Sequence, residues 1–384
     1  MKILMLTDGV SPFVIGGMQK HSYYLAKHLL KNGIDVTLYH CIYEDNSKDI
    51  NNEIMDYLNV NDSMKFQAKC FMFPKLKISI PGHYLIESYL YSKKLYNEII
   101  NEKKDFDFIY AKGFSAWYSI RKQNKLPKIG IQFHGLEMFQ KASSFFNYLE
   151  KIIFRSSVKY NIRNANFIFS YGARIKEIHE KLGCRKDKMF IQHGGVPKEN
   201  IIRNDEIKKI ENKINFLFIG RNERRKGYIE LRKALEILID KKDFHFSFIG
   251  DIPMNEKLIS SKITYYGTIK NQDEYINIID QNDVIVVPSI SEGLPTVLLE
   301  SMARGLVALA TDVGAINEIV NKENGYLIEH SNPQEILNKM QEIIELPKQK
   351  ILEKKQKARE IIYEKFNWEN LSLEIIKFIK ENKL

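Results

Sequence analysis

The sequence predicts an α/β protein with two doubly wound parallel sheets. Three observations favour this class: short apolar runs alternate with helical patterns along the whole chain, the alternation restarts near residue 215, and 384 residues are enough for two domains. Strands connected through helices run parallel, and ligands of open α/β sheets bind beyond the carboxyl ends of the strands. The residues that follow each strand are therefore the first candidates for a functional site.

The first half begins with a strand, a helix and a second strand. A helical period over Met18–Leu30 ends at Gly33 and separates the first two β-rich runs. The predicted strands of this half are Lys2–Thr7, Asp35–His40, Phe108–Ala111, Ile129–His134 and Phe167–Ser170.

The second half repeats the alternation after a junction near Pro197–Ile210, and a charged helical tail follows from Lys348. Its predicted strands are Asn215–Gly220, Phe244–Gly250, Ile263–Tyr266, Val284–Pro288 and Val307–Thr311, and its predicted helices are Tyr228–Ile239, Asp273–Asp280, Pro295–Ala303, Ala315–Val320 and Pro333–Leu346.

Composition excludes several classes of protein. The three cysteines are scattered, which argues against a disulfide framework or a thiolate metal site. Asp8 interrupts the first apolar run before a signal peptide can form, and no run approaches the length of a membrane span. We therefore expect a cytoplasmic protein.

The net charge of +10 is unevenly distributed, because residues 60–160 hold 17 Lys and Arg against 8 Asp and Glu. Such a basic segment suits anionic lipid, nucleic acid or a phosphorylated substrate, although solvated lysines on an ordinary surface explain it equally well.

Two candidate sites follow strands of the first half. Gly16 and Gly17 open a helix, whose N–H groups favour an anion, although a plain turn fits as well. His134 ends a strand and can donate to a hydroxyl group in a cleft; a core histidine is the alternative.

The strongest candidates follow two strands of the second half. Arg221 and Lys226 come directly after a strand and are suited to clamp a diphosphate, the alternative being a solvated basic turn. Pro295 is predicted at the first helical position, and Leu294 before it cannot cap the helix with its side chain, so the first-turn N–H groups are available for phosphate. Glu292 and Glu300 flank this helix start as acceptors for hydroxyl groups. Together these features describe a site for a sugar nucleotide.

The motifs resemble those of retaining glycosyltransferase family 4, including its E-x7-E motif from Glu292 to Glu300. The resemblance implies the GT-B architecture, with two Rossmann-like domains facing across a cleft and a C-terminal helix, Phe366–Lys383, that crosses back to the first domain. The matching segments are Gly16-Gly17, 134-HGLE, 193-HGGVP, 220-GRNERRKG, 249-IGD and 289-SISEGLP. The implied acceptor-side domain is 1–198 with 366–384, and the implied donor-binding domain is 199–365.

The resemblance also implies a role for each matching residue. Arg221 and Lys226 would hold the donor diphosphate, Glu300 the ribose hydroxyls and Glu292 the transferred sugar, with His134 beside the anomeric centre. The backbone N–H groups of Gly16–Gly17 and of Gly293, Leu294 and Thr296 would complete the donor-binding cradle. Pro295 belongs to the same loop but has no N–H group to donate. His193 and Gly194 would lie in an interdomain loop, where His193 departs from the asparagine of many members.

The implied activity is a metal-independent hexosyltransferase that uses a nucleotide sugar and no cofactor. A UDP-sugar is favoured over a GDP-sugar, and the acceptor is expected to be a glycan or a lipid-linked sugar of surface polysaccharide. The D-x-D sequence Asp105–Asp107 begins a strand and is therefore interpreted as structural. Two alternatives remain: a sugar-nucleotide epimerase of the same fold, and a non-catalytic basic adaptor.

Residues 60–160 are also expected to face an anionic membrane surface or a phosphorylated lipid acceptor rather than nucleic acid. In Phe145–Tyr160, the apolar positions Phe145, Phe146, Leu149, Ile152 and Ile153 follow a helical period, and Lys151, Arg155 and Lys159 fall on another face. The alternative is that the apolar stripe packs on the first sheet and the basic face is merely solvated.

Overall fold

The computed structural model describes residues 1–14, 16–43, 50–61, 63–77, 82–122, 126–142 and 145–382. Residues 78–81 of the basic segment 60–160 and Lys383 of the predicted C-terminal helix lie outside these ranges, as do the side chains of Phe145 and Phe146. The chain divides into two compact units: Met1–Phe139, Phe145–Gly194 and Trp368–Leu384 form the first, and Gln140–Ser144 and Gly195–Asn367 form the second.

In its described part, the first unit is a parallel sheet of seven strands in the order β3-β2-β1-β4-β5-β6-β7. The order reverses between β1 and β4, so the ends of these two strands flank a topological switch point. The strands are β1 (Lys2–Leu6), β2 (Asp35–Ile42), β3 (Phe66–Met72), β4 (Phe108–Lys112), β5 (Ile129–Gln132), β6 (Phe167–Ser170) and β7 (Met189–Ile191), and the helices are α1 (Gly17–Lys31), α2 (Ile50–Leu58), α3 (His83–Glu102), α4 (Trp117–Lys122), α5 (Phe145–Asn164) and α6 (Ala173–Lys181).

The second unit is a parallel sheet of six strands in the order β10-β9-β8-β11-β12-β13, counted over its described residues. Its switch point lies between β8 and β11. The strands are β8 (Ile214–Ile219), β9 (Phe244–Ile249), β10 (Ile263–Gly267), β11 (Val284–Val287), β12 (Val307–Thr311) and β13 (Gly325–Ile328), and the helices are α7 (Tyr228–Leu238), α8 (Gln272–Asp280), α9 (Thr296–Ala303), α10 (Pro333–Glu345) and α11 (Lys348–Lys365).

The last helix, α12 (Trp368–Asn382), belongs to the first unit although it follows the second in the chain. Trp368 is buried against α1, with its ring centroid 4.8 Å from that of His21. Leu371, Ile375 and Ile379 enter the same apolar core as β1 and α1. The first unit is therefore complete only when the chain returns to it.

Several predicted elements differ from the structure. The predicted strand Ile129–His134 ends at Gln132, so His134 lies in the following loop. The predicted helix Ala315–Val320 is a 3₁₀ turn over Ile316–Glu318, because the backbone of Ala315 is not helical. The edge strands β3 and β13 are absent from the predicted set, because β3 mixes polar and apolar residues and β13 has only 4 residues.

Candidate active site

The second unit brings together the loops that follow β8 and β11. A 3₁₀ turn, Arg224–Lys226, leads into Gly227, whose φ of 73° suits glycine. A Cβ atom at Gly227 would lie 1.8 Å from the carbonyl oxygen of Pro288. In addition, the N–H of Ile290 donates to the carbonyl of Arg225 at 2.7 Å. Backbone contact between the loops therefore places Lys226 beside Glu292.

Glu292 is buried and its carboxylate is surrounded by donors. Lys226 Nζ lies 2.6 Å from Oε1, the hydroxyl of Ser289 donates to the same oxygen at 2.9 Å, and Arg225 Nη1 lies 3.4 Å from Oε2. Burial acts to raise the pKa of Glu292, but Lys226 and Arg225 outweigh it and hold that pKa below its ordinary value. Glu292 is therefore an ionised acceptor at neutral pH.

Helix α9 begins immediately after this loop. The structure corrects the position of Pro295: it is the residue before the helix, with an extended ψ of 117°, and Thr296 is the first helical residue. No side chain caps the helix. The N–H of Leu298 bonds to the carbonyl of Pro295 at 3.1 Å, whereas the N–H groups of Thr296 and Val297 precede the first intrahelical bonds. A helix start of this kind favours an anion.

The same loop is held from its other side by Gly314. This glycine has a φ of 61°, and a Cβ atom there would lie 2.3 Å from the carbonyl oxygen of Glu292. The N–H of Ala315 donates to the carbonyl of Gly293 at 2.8 Å. Glu292, Gly293 and the start of α9 consequently have a defined backbone geometry before any ligand binds.

The basic pair Arg221 and Lys226 is not brought together in the structure. Arg221 is 74% exposed and pairs with Glu223 at 2.8 Å, whereas Lys226 contacts Glu292. Arg225 is the second cation that contacts Glu292, although the sequence pattern singles out Arg221. The motif itself offered no signal that distinguishes Arg225 from Arg224.

Glu300 lies in the second turn of α9, as its spacing predicts. Its Oε2 accepts a hydrogen bond from the hydroxyl of Tyr275 on α8 at 2.8 Å. Burial and the nearby Glu300 carboxylate raise the pKa of Tyr275 well above its usual range, so this phenol stays protonated and acts as a donor.

The first unit has its own polar cluster at the carboxyl ends of its strands. Gly16 precedes α1 and Gly17 is its first residue, and no side chain caps that helix. His134 follows β5, and its Nδ1 contacts the hydroxyl of Tyr171, which follows β6. Burial, followed by the proximity of Lys112, holds the pKa of His134 well below its ordinary value. The chain leaves this unit after His193 and Gly194.

A buried lysine, Lys112, lies at the end of β4 and bonds to two partners. Its Nζ lies 2.8 Å from Nδ1 of His21 and also contacts the amide oxygen of Gln132. Burial lowers the pKa of Lys112 far below its usual range, and Asp8 opposes this effect. The hydroxyl of Tyr110 and the side chain of Gln192 complete the cluster.

Sequence reasoning missed Asp8, Lys112 and Tyr171, although a signal for them existed. Each stands at or directly after the carboxyl end of a strand, where ligands of open parallel sheets bind. In the sequence, Lys112 stands out only as part of the basic segment 60–160, and Asp8 only as an interruption of an apolar run.

Sequence comparisons cover nearly the whole chain. Residues 15–200 match the family described as Glycosyltransferase Family 4, and residues 200–365 match Glycosyl transferases group 1. The chain belongs to glycosyltransferase family 4. The family 4 chain is 22% identical to an uncharacterised glycosyltransferase of Methanocaldococcus jannaschii, over 99% of this chain and 98% of that one. A second glycosyltransferase of that organism is 30% identical over 58% of this chain and 62% of its own.

Solved structures share the GT-B fold of this glycosyltransferase. Sucrose-phosphate synthase of Thermosynechococcus elongatus superposes with a TM-score of 0.76 at 16% identity, covering 99% of this chain and 98% of that one. HepE of Anabaena, solved with UDP, superposes with a TM-score of 0.68 at 16% identity, covering 99% of this chain and all of that one. The predicted fold class is confirmed.

Asp107 of the D-x-D sequence has a structural contact. Its Oδ2 accepts a hydrogen bond from the N–H of Lys2 at 2.7 Å, which ties the start of β4 to β1. This contact supports the interpretation of Asp105–Asp107 as a structural feature of the glycosyltransferase.

Proposed function

We propose that the enzyme is a retaining glycosyltransferase that transfers a sugar from a nucleoside diphosphate sugar to an acceptor. The observation that carries this proposal is the contact between Lys226 and the buried carboxylate of Glu292 beside the uncapped start of α9. In the free enzyme each charge compensates the other. A bound donor offers the lysine a diphosphate and the glutamate sugar hydroxyl groups, so both find new partners.

The electrostatic design of this loop suits a leaving diphosphate. Negative charge grows on the phosphate as the bond to the sugar breaks, and preorganised donors stabilise that charge. Lys226, Arg221 and the first N–H groups of α9 are assigned to it, and Glu300 is assigned to the ribose. Glu292 is assigned to the transferred sugar, while the roles of His134, Gly16–Gly17, His193 and Gly194 stay predictions of the family resemblance.

A UDP-sugar is the preferred donor, with a GDP-sugar as the second choice. HepE was solved with UDP and with UDP-glucose, and these ligands support the preference without extending to the present chain. Thermal unfolding with UDP, GDP and ADP, followed by turnover of the matching sugar donors, tests it. Stabilisation by GDP alone would move the assignment to a GDP-sugar.

We also propose that catalysis needs no divalent metal, because cationic side chains and a helix start can balance the diphosphate charge. Turnover should therefore persist in excess EDTA. Activity that disappears with EDTA and returns with Mg²⁺ or Mn²⁺ would contradict this part of the proposal.

The acceptor is proposed to be a growing surface polysaccharide or its lipid-linked precursor. One relative, 26% identical over 33% of this chain, is the capsular polysaccharide biosynthesis glycosyltransferase CapM of Staphylococcus aureus. Among the described residues, no helix has both the length and the apolar character to cross a membrane. Contact with a lipid-linked acceptor would then use a surface of the folded first unit.

The first unit offers such a surface, but it differs from the predicted one. On α5, Leu149, Ile152 and Ile153 are exposed, whereas Lys151 is buried and Arg155 donates to the carbonyl of Met138 at 2.8 Å. The alternative in which the apolar stripe packs on the sheet is therefore wrong for these three residues. Lys151 and Arg155 do not form a solvated basic face.

The exposed apolar side chains of α5 continue onto neighbouring segments. A Cβ atom at Gly82 would lie 3.0 Å from Ile153 Cγ2, which places the start of α3 beside α5. The N–H of Leu76 donates to Glu87 at 2.8 Å, so the chain before α3 lies there too. Exposed Leu76 and Ile86 and the exposed Lys75 and Lys77 join this apolar-basic face.

Vesicle co-sedimentation tests the apolar-basic face. Binding should require anionic lipid, weaken with salt and fall when Leu149, Ile152 and Ile153 are changed together to Ser. Ile259→Ser, at a fully exposed isoleucine of the second unit, is the matched control and should bind like the unmodified protein. Equal binding to neutral vesicles, or none to anionic ones at low salt, would mean that the acceptor is met in solution.

The two alternatives are separated by simple assays. A sugar-nucleotide epimerase consumes its donor without an acceptor, whereas a transferase at most hydrolyses it slowly. If the protein were a non-catalytic adaptor, Glu292→Gln and Lys226→Ala should leave its binding to a partner unchanged. The placement of both residues directly after strands, beside the uncapped start of α9, favours the transferase.

A further inference from the structure

His134 has one nitrogen that is bonded and one that is not. Nδ1 contacts the hydroxyl of Tyr171, which follows β6. Nε2 is shielded from solvent and has no hydrogen-bond partner among the residues that the structure describes. The two nitrogens therefore have different roles, and the position of the imidazole proton decides which role each has.

The proton between His134 and Tyr171 can be placed by counting partners. Burial raises the pKa of Tyr171 far above its usual range, so the phenol keeps its proton. If Nδ1 carried the imidazole proton, the hydroxyl hydrogen of Tyr171 would lack an acceptor and the Nε2 lone pair would lack a donor. If the hydroxyl donates to Nδ1, only the Nε2–H is left over. Because unsatisfied buried groups are costly, the second arrangement is favoured.

The surroundings of His134 also favour a neutral imidazole ring. The ring of His21 meets that of His134 edge to face, with 5.2 Å between centroids, and His21 is itself bonded to Lys112 at 2.8 Å. No described carboxylate pairs with His134 to favour an imidazolium ion, and burial and Lys112 both lower its pKa. The ring is therefore neutral at physiological pH.

We propose that Tyr171 is a positioning residue that holds His134 as the neutral Nε2–H tautomer, so that His134 presents one hydrogen-bond donor to an oxygen of the bound sugar. The assignment of a sugar as the ligand rests on the proposed glycosyl transfer, whereas the tautomer does not. In this arrangement His134 contributes by donating a hydrogen bond, and it neither removes nor supplies a proton during transfer.

The tautomer can be read directly by long-range ¹H–¹⁵N NMR on the full chain labelled at histidine, at neutral pH without ligand. His134→Ala identifies the signals of His134 by their loss. The expected pattern is Nε2–H with an unprotonated Nδ1, and Tyr171→Phe should change it to a mixture or to Nδ1–H. An imidazolium or Nδ1–H pattern in the unmodified protein would refute the proposal, as would an unchanged pattern in Tyr171→Phe.

Tyr91→Phe is the matched control. Tyr91 is equally buried and its hydroxyl donates to the carbonyl of Thr7 at 2.8 Å, but its ring makes no described contact with an imidazole. Both variants lose one buried hydrogen bond, so both should lower Tm. Only Tyr171→Phe should alter the His134 signals, and a change in Tyr91→Phe as well would point to a general loosening of the unit and contradict a specific role for Tyr171.

Enzyme kinetics test separately whether His134 donates a hydrogen bond to the bound sugar. Tyr171→Phe should lower kcat/KM about tenfold, the scale of one weakened hydrogen bond. In the His134→Ala background the same substitution should have no further effect, because Tyr171 acts only through His134. Additive losses would refute that dependence. If the NMR result holds but no nucleotide sugar is turned over, the proposed function fails while the tautomer assignment stands.

Discussion

Glu292 and Asp8 are both carboxylic acids at the ends of parallel strands, and their surroundings give them opposite shifts. Glu292 has Lys226 at 2.6 Å, and its pKa is held low. Asp8 follows β1 in a poorly solvated position, and burial raises its pKa to about 6 against the attraction of Lys112. The first is a permanent anion, and the second changes charge near neutral pH.

The two cations assigned to the donor diphosphate, Lys226 and Arg221, should be required for transfer. Lys226→Ala and Arg221→Ala are each expected to cost about 2–4 kcal/mol in transition-state stabilisation, the scale of losing one donor to a developing charge. The measurement is kcat/KM for the preferred donor. Lys233→Ala, at an exposed lysine of α7, is the control and should retain full activity.

Arg225→Ala tests whether Arg221 or Arg225 acts together with Lys226 on the donor diphosphate. A loss comparable to that of Lys226→Ala together with an active Arg221→Ala would transfer the assigned role from Arg221 to Arg225.

Asp8 makes a prediction about pH and stability. Its folded pKa of about 6 lies above the ordinary 3.8 expected for the unfolded chain, so the folded state binds this proton more tightly. The stabilising contribution is full below about pH 4 and is lost as the pH rises through 6. Asp8→Asn cannot ionise, and it should therefore raise Tm relative to the unmodified protein more at pH 8 than at pH 4.5.

Thermal unfolding at both pH values measures this difference. Asp105→Asn, which replaces an exposed side chain, is the control and should leave Tm close to that of the unmodified protein. An equal effect of Asp8→Asn at both pH values would mean that the carboxyl group titrates normally in the fold.

At the scale of secondary structure elements, a buried ion pair connects helix α11 to the second sheet. On α11, Lys355 is buried and its Nζ lies 2.8 Å from the carboxylate of Asp283, which precedes β11. Asp283 also accepts the N–H of Asn215 at the start of β8, and Lys355 donates to the carbonyl of Lys208. One ion pair therefore connects a helix, two central strands and the segment that enters the second unit.

Removing the lysine of this buried pair should lower the free energy of unfolding. Lys355→Met leaves an uncompensated buried carboxylate, and about 3–5 kcal/mol of unfolding free energy should be lost. Urea denaturation measures it. Lys357→Met, on the same helix but in the exposed pair with Glu360, should have no measurable effect. A small loss for Lys355→Met would show that Asp283 is rescued by water or by protonation.

At the scale of the whole molecule, the chain returns to its first unit through α12. The buried Trp368 packs on His21, Tyr24 and His28 of α1, so the last helix supports the element that carries Gly17. Each unit has its own apolar core, and the core of the first contains side chains from both ends of the sequence.

Trp368→Ala should consequently destabilise the first unit by about 3–5 kcal/mol, the usual cost of truncating a buried aromatic side chain. Leu373→Ala on the exposed face of the same helix is the control and should be close to neutral. The measurement is denaturant unfolding. Equal losses for the two variants would mean that α12 is only loosely attached.

The sequence by itself determined the fold class, most central strands and the residues of the E-x7-E loop. Central strands of a parallel sheet are covered on both faces and therefore read as continuous apolar runs, whereas the edge strand β3 carries polar residues between its apolar ones. Motifs also single out Glu292, Glu300 and Lys226 as candidate site residues, because local spacing places them after strands.

Tertiary structure alone decided which side chains meet. The contact of Lys226 with Glu292 depends on Gly227 lying against Pro288, and the burial of Lys151 beside exposed Ile152 and Ile153 depends on how α5 packs. Lys112, His21 and Tyr171 are brought together from separate strands and a helix. Such neighbours are far apart in the chain, and only the register of the sheet and the packing of helices determine their distances, so no local pattern in the sequence encodes them.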